Sequence, residues 1–104
     1  MIVPSHRGIA GIQGQGPYFI FLAEVKDGRI DSVTFESVQC LWSSAIGMVV
    51  CSLIEHQPHS RAKELRTDEI LFRLEGIPGS KLEFVDLALQ AVRHLNVIEH
   101  SPVA

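Results

Sequence analysis

The stretch YFIFLAEVKDGRIDSVTF, residues 18–35, decides the fold class of this sequence. It opens with a continuous apolar and aromatic run whose length and Phe, Ile and Val content favour a β-strand over a helix. Asp27-Gly28 follows, and this dipeptide strongly predicts a two-residue hairpin turn. Beyond the turn, polar residues alternate with Val33 and Phe35, which is typical of a strand with one buried face. The sequence therefore predicts an antiparallel hairpin at this point.

Residues 5–16, upstream of the hairpin, are rich in glycine, with Ile9, Ala10 and Ile12 between the glycines. This composition predicts a short edge strand followed by a mobile loop. The glycines do not form a phosphate-binding loop, because no Gly-Lys-Ser/Thr follows them and no helix begins there.

Helical spacing replaces strand spacing downstream of the hairpin. The segment from Cys40 to Glu55 is apolar on most sides and predicts a helix that the fold largely encloses. Its small residues Ser43, Ser44 and Gly47 would allow close approach of another part of the chain.

Two further helices are expected near the carboxyl end. Thr67 is a candidate N-cap for a short helix that stops at the glycine-rich residues 76–79. Residues 80–83, Ser-Lys-Leu-Glu, read as a capping box that opens the last helix, and the tail from Asn96 to Ala104 is expected to fray. The last helix has an apolar stripe of Phe84, Leu87, Ala88, Ala91 and Leu95. The predicted fold class is α+β: a small three-stranded antiparallel meander with helices packed on one face.

Composition limits the functions to consider. A chain of 104 residues, 46% apolar and 20% charged, is one domain with a core of its own. The net charge of −3 offers no basic field for nucleic acid or an anionic membrane. No signal peptide is apparent, the apolar stretch Ala45–Leu53 is too short to span a bilayer, and two cysteines make no disulfide framework. We expect a cytoplasmic protein.

Several segments, in this order and spacing, resemble the NifU/IscU-type family of iron–sulfur cluster assembly scaffolds, specifically its NifU N-terminal domain. They are residues 25–35 (VKDGRIDSVTF), Gln39-Cys40, Ser43-Ser44-Ala45, Thr67-Asp68, residues 74–78 (LEGIP), Leu87-Ala88 and Ala91. The resemblance covers roughly residues 15–95 and implies that the whole chain, 1–104, is one such domain. The SufE sulfur-acceptor family shares the same fold and is also similar.

The resemblance implies a site with an incomplete ligand set. Family members assemble an iron–sulfur cluster, or hold zinc, on three cysteines with a nearby aspartate or histidine. The first cysteine matches Gln15, the aspartate Pro17, the second cysteine Cys40 and the third Phe84, with Glu83 in place of the histidine. The metal ligands that the resemblance implies are Cys40 and Glu83, and the cofactor that it implies is an iron–sulfur cluster or zinc. Because iron and zinc favour thiolates and only one cysteine is in place, the alternative is that no cofactor is bound.

Cys51 does not replace the missing ligands. It follows Cys40 by 11 residues, which on a continuous helix separates the two sulfurs by about 16 Å along the axis. Neither a shared metal nor a disulfide spans that distance. Cys51 is expected to be a small buried hydrophobe. Cys40, at the start of a helix, is either a thiol with raised thiolate content or a core cysteine without a function.

Other candidate residues have simpler explanations. The capping box accounts for Glu83. His56 and His59 have metal-like spacing, but Pro58 between them favours a solvated loop, and His94 has no evident partner. The single tryptophan, Trp42, is expected in the core. No nucleophile, base and orienting group form a recognisable motif, so we do not expect an enzyme.

Three functional hypotheses follow. The first is a NifU-like protein in iron–sulfur cluster assembly that handles iron, sulfur or a labile cluster. The second is an interaction module that docks on a cysteine desulfurase or another assembly protein without holding a cluster. Phe84 would make the former ligand site apolar, which suits packing or contact with another subunit of a homo-oligomer. The third is a single-cysteine sulfur acceptor like SufE, with Cys40 as the acceptor.

Overall fold

The computed structural model describes residues 4–98. Its elements are β1 (His6–Gly11), β2 (Tyr18–Lys26), β3 (Arg29–Ser37), α1 (Leu41–Ile54), α2 (Ser60–Glu64), α3 (Thr67–Leu74), a 3-10 turn (Gly79–Lys81), α4 (Leu82–Arg93) and β4 (Asn96–Val97). The strands form one antiparallel sheet in the order β3-β2-β1-β4. Helices α1 and α4 pack on the sheet, which confirms the α+β class and the antiparallel meander.

The sheet has four strands, and the prediction of three was wrong. The additional strand, β4, pairs Asn96 and Val97 with the first two residues of β1. Leu95, directly before it, is fully buried and holds this end of the chain against the core. The predicted fraying of the tail is therefore incorrect for Asn96 and Val97, while residues 99–104 lie outside the described residues.

The hairpin between β2 and β3 forms as its sequence predicts. Asp27 and Gly28 have φ angles of 54° and 76°, the left-handed pair that a type I′ turn requires. A bulge near Glu24 shifts the register of β2 against β3. Because of the bulge, Ile30 and Val33 both face the core although they are three residues apart.

Helix α1 is less enclosed than its composition predicts. Leu41 and Met48 are 80% and 65% exposed, so one side of the helix faces solvent. The other side is buried, and the predicted close approach occurs there at Gly47. A Cβ atom at this position would overlap the ring of Phe35 on β3.

Helix α4 buries the predicted stripe but begins differently. Phe84, Ala88 and Ala91 are buried, and Leu87 is partly buried against the same core. Leu95, predicted on the same stripe, is also buried but lies two residues beyond the end of α4. The predicted capping box was wrong: Ser80 lies in the 3-10 turn, Lys81 precedes the first helical residue, and no side chain caps α4. The carboxylate of Glu83 is consequently not used as a cap.

Two smaller differences concern the chain between α1 and α4. Thr67 is the first residue of α3 and not its cap; the cap position is Arg66, whose backbone N–H donates to the Glu69 carboxylate at 2.9 Å. The five-residue helix α2 lies just after the loop predicted from His56 to Ser60 and was not anticipated. Within residues 4–98, no helix is long and apolar enough to cross a membrane.

Strand β1 and helix α4 are in backbone contact at Gly8. A Cβ atom there would overlap the carbonyl oxygen of Ala91, which has no freedom to rotate away. We expect Gly8→Ala to lower the free energy of unfolding by about 3 kcal/mol, the upper part of the usual range for overpacking. Urea unfolding followed by circular dichroism measures this change.

Gly79→Ala is the matched control, because no atom lies within 4 Å of a Cβ built at Gly79. Its stability should stay within about 0.5 kcal/mol of the wild type, as for most surface changes. Equal stability of the two variants would show that the contact between Gly8 and Ala91 does not limit the packing of α4.

Candidate functional site

Cys40 occupies the cap position at the amino end of α1. Its backbone is extended, with φ −155° and ψ 138°, and its side chain is half-buried. The backbone N–H groups of Ser43 and Trp42 at the open end of the helix lower the pKa of the Cys40 thiol. Burial opposes these two effects without cancelling them, and the Lys81 ammonium and the Ser43 hydroxyl lower the pKa by smaller amounts. Cys40 therefore has more thiolate character than an ordinary cysteine.

Ser43 is fully buried in the first turn of α1. Among residues 4–98, no group forms a hydrogen bond with its hydroxyl. Ser43 is the third helical residue, and side chains at this position and at the cap position lie on the same side of a helix start. The hydroxyl is thus close enough to lower the pKa of the Cys40 thiol but is not hydrogen-bonded to the neutral sulfur. An unsatisfied buried hydroxyl of this kind costs about 1–3 kcal/mol.

Lys81 brings a positive charge to the same place from the start of α4. Its Nζ lies 4.9 Å from the centroid of the Phe84 ring, a cation–π contact. In the described part of the chain no carboxylate forms an ion pair with this ammonium. The charge of Lys81 therefore remains available to an anion at Cys40.

Of the other positions matched to family ligands, Pro17, Glu83 and Phe84 lie together, and Gln15 lies apart from them. Glu83 and Phe84 meet Pro17 and Leu87 in a shallow pocket of about 240 Å³. The Glu83 side chain makes no hydrogen bond or ion pair with any residue between 4 and 98. Gln15 does not line this pocket; it lies in the exposed loop after β1, where its N–H donates to the Ile12 carbonyl at 3.0 Å.

These donors do not fit an iron–sulfur cluster held by one chain. The matched positions offer one thiolate and one carboxylate, whereas a cluster needs several thiolates. Residues 4–98 contain no group of three or more His, Cys, Asp or Glu side chains that could hold a metal ion. A metal at Cys40 would need further ligands from outside residues 4–98. The chemistry that the residues present do fit is that of a single reactive sulfur.

Cys51 has the opposite environment. It packs against the core, and burial, reinforced by the charge of Glu55, raises the pKa of its thiol to about 12. It lines a groove between β3 and α1 with Val33 and Met48. Since α1 is continuous from Leu41 to Ile54, Cys40 and Cys51 remain far apart, and both are free thiols.

The histidines predicted to lie in a loop make separate contacts. His59 shares a 2.7 Å hydrogen bond with the Leu95 carbonyl and packs edge-on against His6, with ring centroids 4.6 Å apart. Burial and the neighbouring His59 lower the pKa of His6. His56 instead lies 3.2 Å from the Glu55 carboxylate, and His94 at the end of α4 bonds the Gln90 carbonyl. His56 and His59 thus show no shared ligand geometry.

Sequence reasoning missed two residues at this site. From the sequence, Ser43 stands out only as a small residue and Lys81 only as part of the predicted capping box. The spacing Cys-x-x-Ser at a helix start would have placed Ser43 beside Cys40, since cap and third helical residue face each other. No local signal in the sequence joins Lys81 to Cys40, because that contact arises from the packing of α4 beside α1.

No protein-family model matches this chain. No curated protein matches it at a significant level either. Solved structures do match, and one of them is described only as a hypothetical protein. It is 12% identical, with a TM-score of 0.50, and the match covers 88% of this chain and 66% of that one. This chain thus spans about two thirds of the length of that protein, and the likeness concerns the fold alone.

The two cysteines should differ strongly in reactivity. We expect iodoacetamide to alkylate Cys40 with a midpoint below about pH 8.5, the ordinary cysteine value, because the pKa of Cys40 is lowered. Cys51, with a pKa of about 12, should react only as the pH approaches that value. Peptide mass spectrometry of the native protein between pH 6 and 10, values chosen to bracket the ordinary cysteine pKa, separates the two sites.

The Cys40→Ser and Cys51→Ser variants serve as controls for the assignment of each rate. Faster alkylation of Cys51 than of Cys40 at pH 8 would contradict the arrangement of the site, as would a midpoint for Cys40 above the ordinary value of about 8.5.

Proposed function

We propose that this protein is a NifU-like component of iron–sulfur cluster assembly that handles sulfur through Cys40. The observation that supports the proposal most is the placement of a single thiol at the open end of α1, near the ammonium of Lys81, which forms no ion pair within residues 4–98. The resemblance of residues 15–95 to cluster-assembly scaffolds gives the biological setting. The donor set, with one thiolate, favours sulfur handling over cluster binding.

The surface around the thiol suits a protein donor of sulfur. Leu41, directly after Cys40, is 80% exposed, and Leu82, directly after Lys81, is 42% exposed. Apolar side chains exposed beside a reactive group indicate a protein contact more than a small-molecule pocket. A cysteine desulfurase, which carries a persulfide on its own cysteine, is the partner class that this arrangement would serve.

The sulfur transfer needs no metal and no external oxidant. The Cys40 thiolate attacks the outer sulfur of the donor persulfide, and a sulfur–sulfur bond forms at Cys40. The sulfur–sulfur bond of the donor breaks, and the donor cysteine leaves as a thiolate with the bonding electron pair. Cys40 then carries the persulfide, and the oxidation state summed over both proteins is unchanged.

Incubation with a cysteine desulfurase and free cysteine under anaerobic conditions tests the proposal. We expect the mass of one added sulfur atom on Cys40 and none on Cys51, because only Cys40 has a lowered thiol pKa. Cys51→Ala should load as the wild type does, and Cys40→Ala should not load. An unloaded wild type, with the desulfurase active on another acceptor, would reject sulfur handling.

A second candidate function is the interaction module without sulfur or metal chemistry. The pocket of Pro17, Phe84 and Leu87, which has Glu83 as its charged lining residue and lies beside exposed Leu82, favours it. Under this alternative, Cys40→Ala binds the desulfurase as tightly as the wild type, while Leu41→Glu binds at least tenfold more weakly. Calorimetry with purified proteins measures this binding. The mass of Cys40 after incubation with the desulfurase distinguishes the two functions, because under this alternative the wild type binds the desulfurase without gaining sulfur.

Metal content is the remaining test of the site. Because one thiolate and one carboxylate are an incomplete ligand set, we expect protein purified anaerobically to carry well under one iron or zinc per chain. Acid-labile sulfide should be equally low. Near-stoichiometric metal that is lost in Cys40→Ala would instead make Cys40 a metal ligand, with partners from another chain or from Glu83.

A further inference from the structure

The Ser43 hydroxyl is the least explained polar group of the site. It is fully buried in the first turn of α1 and lacks a hydrogen-bond partner among residues 4–98. A serine kept at such a position for packing alone could be an alanine, which fills nearly the same space without an unsatisfied donor. The hydroxyl therefore has spare donor capacity on the side of the helix start where Cys40 lies.

Lys81 supplies a second, independent observation from another element. Its ammonium is held over the Phe84 ring at 4.9 Å and forms no ion pair within the described range. Phe84 is itself buried, so this contact fixes the lysine at the start of α4, where its charge acts on the Cys40 thiol at the start of α1. Among residues 4–98, the Ser43 hydroxyl thus has no acceptor and the Lys81 ammonium has no anionic partner, and both act on the Cys40 thiol.

We propose that Ser43 and Lys81 form a receiving site for one further anionic atom bonded to the Cys40 sulfur, the outer sulfur of a persulfide. The inference rests on the proposed function of Cys40 and names the residues that position the transferred atom. The outer sulfur accepts the hydrogen bond of the Ser43 hydroxyl and lies near the Lys81 ammonium. Neither residue forms or breaks a bond, so both are positioning residues.

This site would stabilise the loaded form of the protein over the unloaded form. A hydrogen bond to a charged acceptor is stronger than one between neutral groups. The Ser43 hydroxyl breaks no hydrogen bond within residues 4–98 to form this one, so little of its strength is lost. The unloaded protein leaves the Ser43 hydroxyl unsatisfied, whereas the loaded protein satisfies it. At equilibrium, the outer sulfur should therefore favour Cys40 over a donor persulfide that has no such stabilising groups.

The partition of sulfur between Cys40 and glutathione tests the inference without a desulfurase. Cys51→Ala protein is equilibrated anaerobically with glutathione persulfide and glutathione. The Cys40 thiolate takes the outer sulfur, and glutathione leaves as its thiolate. The ratio of loaded to unloaded protein is read by intact mass after trapping with iodoacetamide.

We expect Ser43→Ala to lower the partition constant about tenfold, as for loss of a hydrogen bond to a charged group. Lys81→Met should lower it about threefold, and Lys81→Arg, which keeps the charge, should stay near the starting value. The controls are Ser44→Ala, an exposed neighbour on the same helix, and Lys63→Met, an exposed lysine on α2. Both controls should leave the constant unchanged.

Stability of the unloaded variants separates positioning from structure. Ser43→Ala should unfold at the same or higher urea concentration than its parent, because it removes an unsatisfied buried donor. A partition constant for Ser43→Ala within twofold of the parent, in folded protein, would overturn the inference. So would an equal loss in Ser44→Ala.

The outcome is independent of the desulfurase experiment. If the desulfurase does not load Cys40 but Ser43→Ala lowers the glutathione partition, the receiving site stands and the proposed partner is wrong. If the desulfurase loads Cys40 but the partition constant is unchanged in the Ser43 and Lys81 variants, the proposed function stands and the receiving site is wrong.

Discussion

Close contacts at two glycine residues, Gly8 and Gly47, set the distance between the helices and the sheet. At Gly8 the backbone of β1 meets the Ala91 carbonyl of α4, and at Gly47 the backbone of α1 meets the Phe35 ring of β3. Neither contact has room for a Cβ atom, so both helices lie closer to the sheet than ordinary side chains permit. Helices α1 and α4 also touch each other. Their amino ends, which carry Cys40 and Lys81, are positioned as a consequence.

The site combines features that a stable core would avoid. Within the described range 4–98, no side chain caps the first turn of α1 or the start of α4, and no group forms a hydrogen bond with the buried Ser43 hydroxyl. Each feature costs stability of about 1 kcal/mol or more. The surrounding core contains fully buried phenylalanine, isoleucine and leucine side chains, which more than offset such costs. Departures from local rules that cluster at one surface position are typical of functional sites.

The sequence predicted the elements with strong local signals and missed those that depend on packing. The Asp27-Gly28 turn and the strands beside it follow from local chemistry, and the apolar stripe of α4 follows from helical period. Strand β4 has only two residues, Asn96 and Val97, which is too few to show a periodicity, and it forms where the buried Leu95 holds the chain beside β1. The exposure of Leu41 and Met48 was missed for a related reason. An apolar composition shows that a helix has buried sides but does not show how many neighbours cover it.

The candidate site was predictable at Cys40 and not at the groups that activate it. The spacing of 11 residues would place Cys40 and Cys51 on the same side of one continuous helix, so neither sequence spacing nor amphipathicity distinguishes them. Their pKa values nevertheless shift in opposite directions, because Cys40 faces free N–H groups and the Lys81 ammonium, while Cys51 is desolvated near Glu55. The helix alone gives only the N–H groups. The contribution of Lys81 to the lowered pKa comes from the start of α4. The position of α4 depends on the contact between Gly8, about 30 residues before Cys40, and Ala91, about 50 residues after it. The reactivity of this one thiol is thus a property of the whole fold.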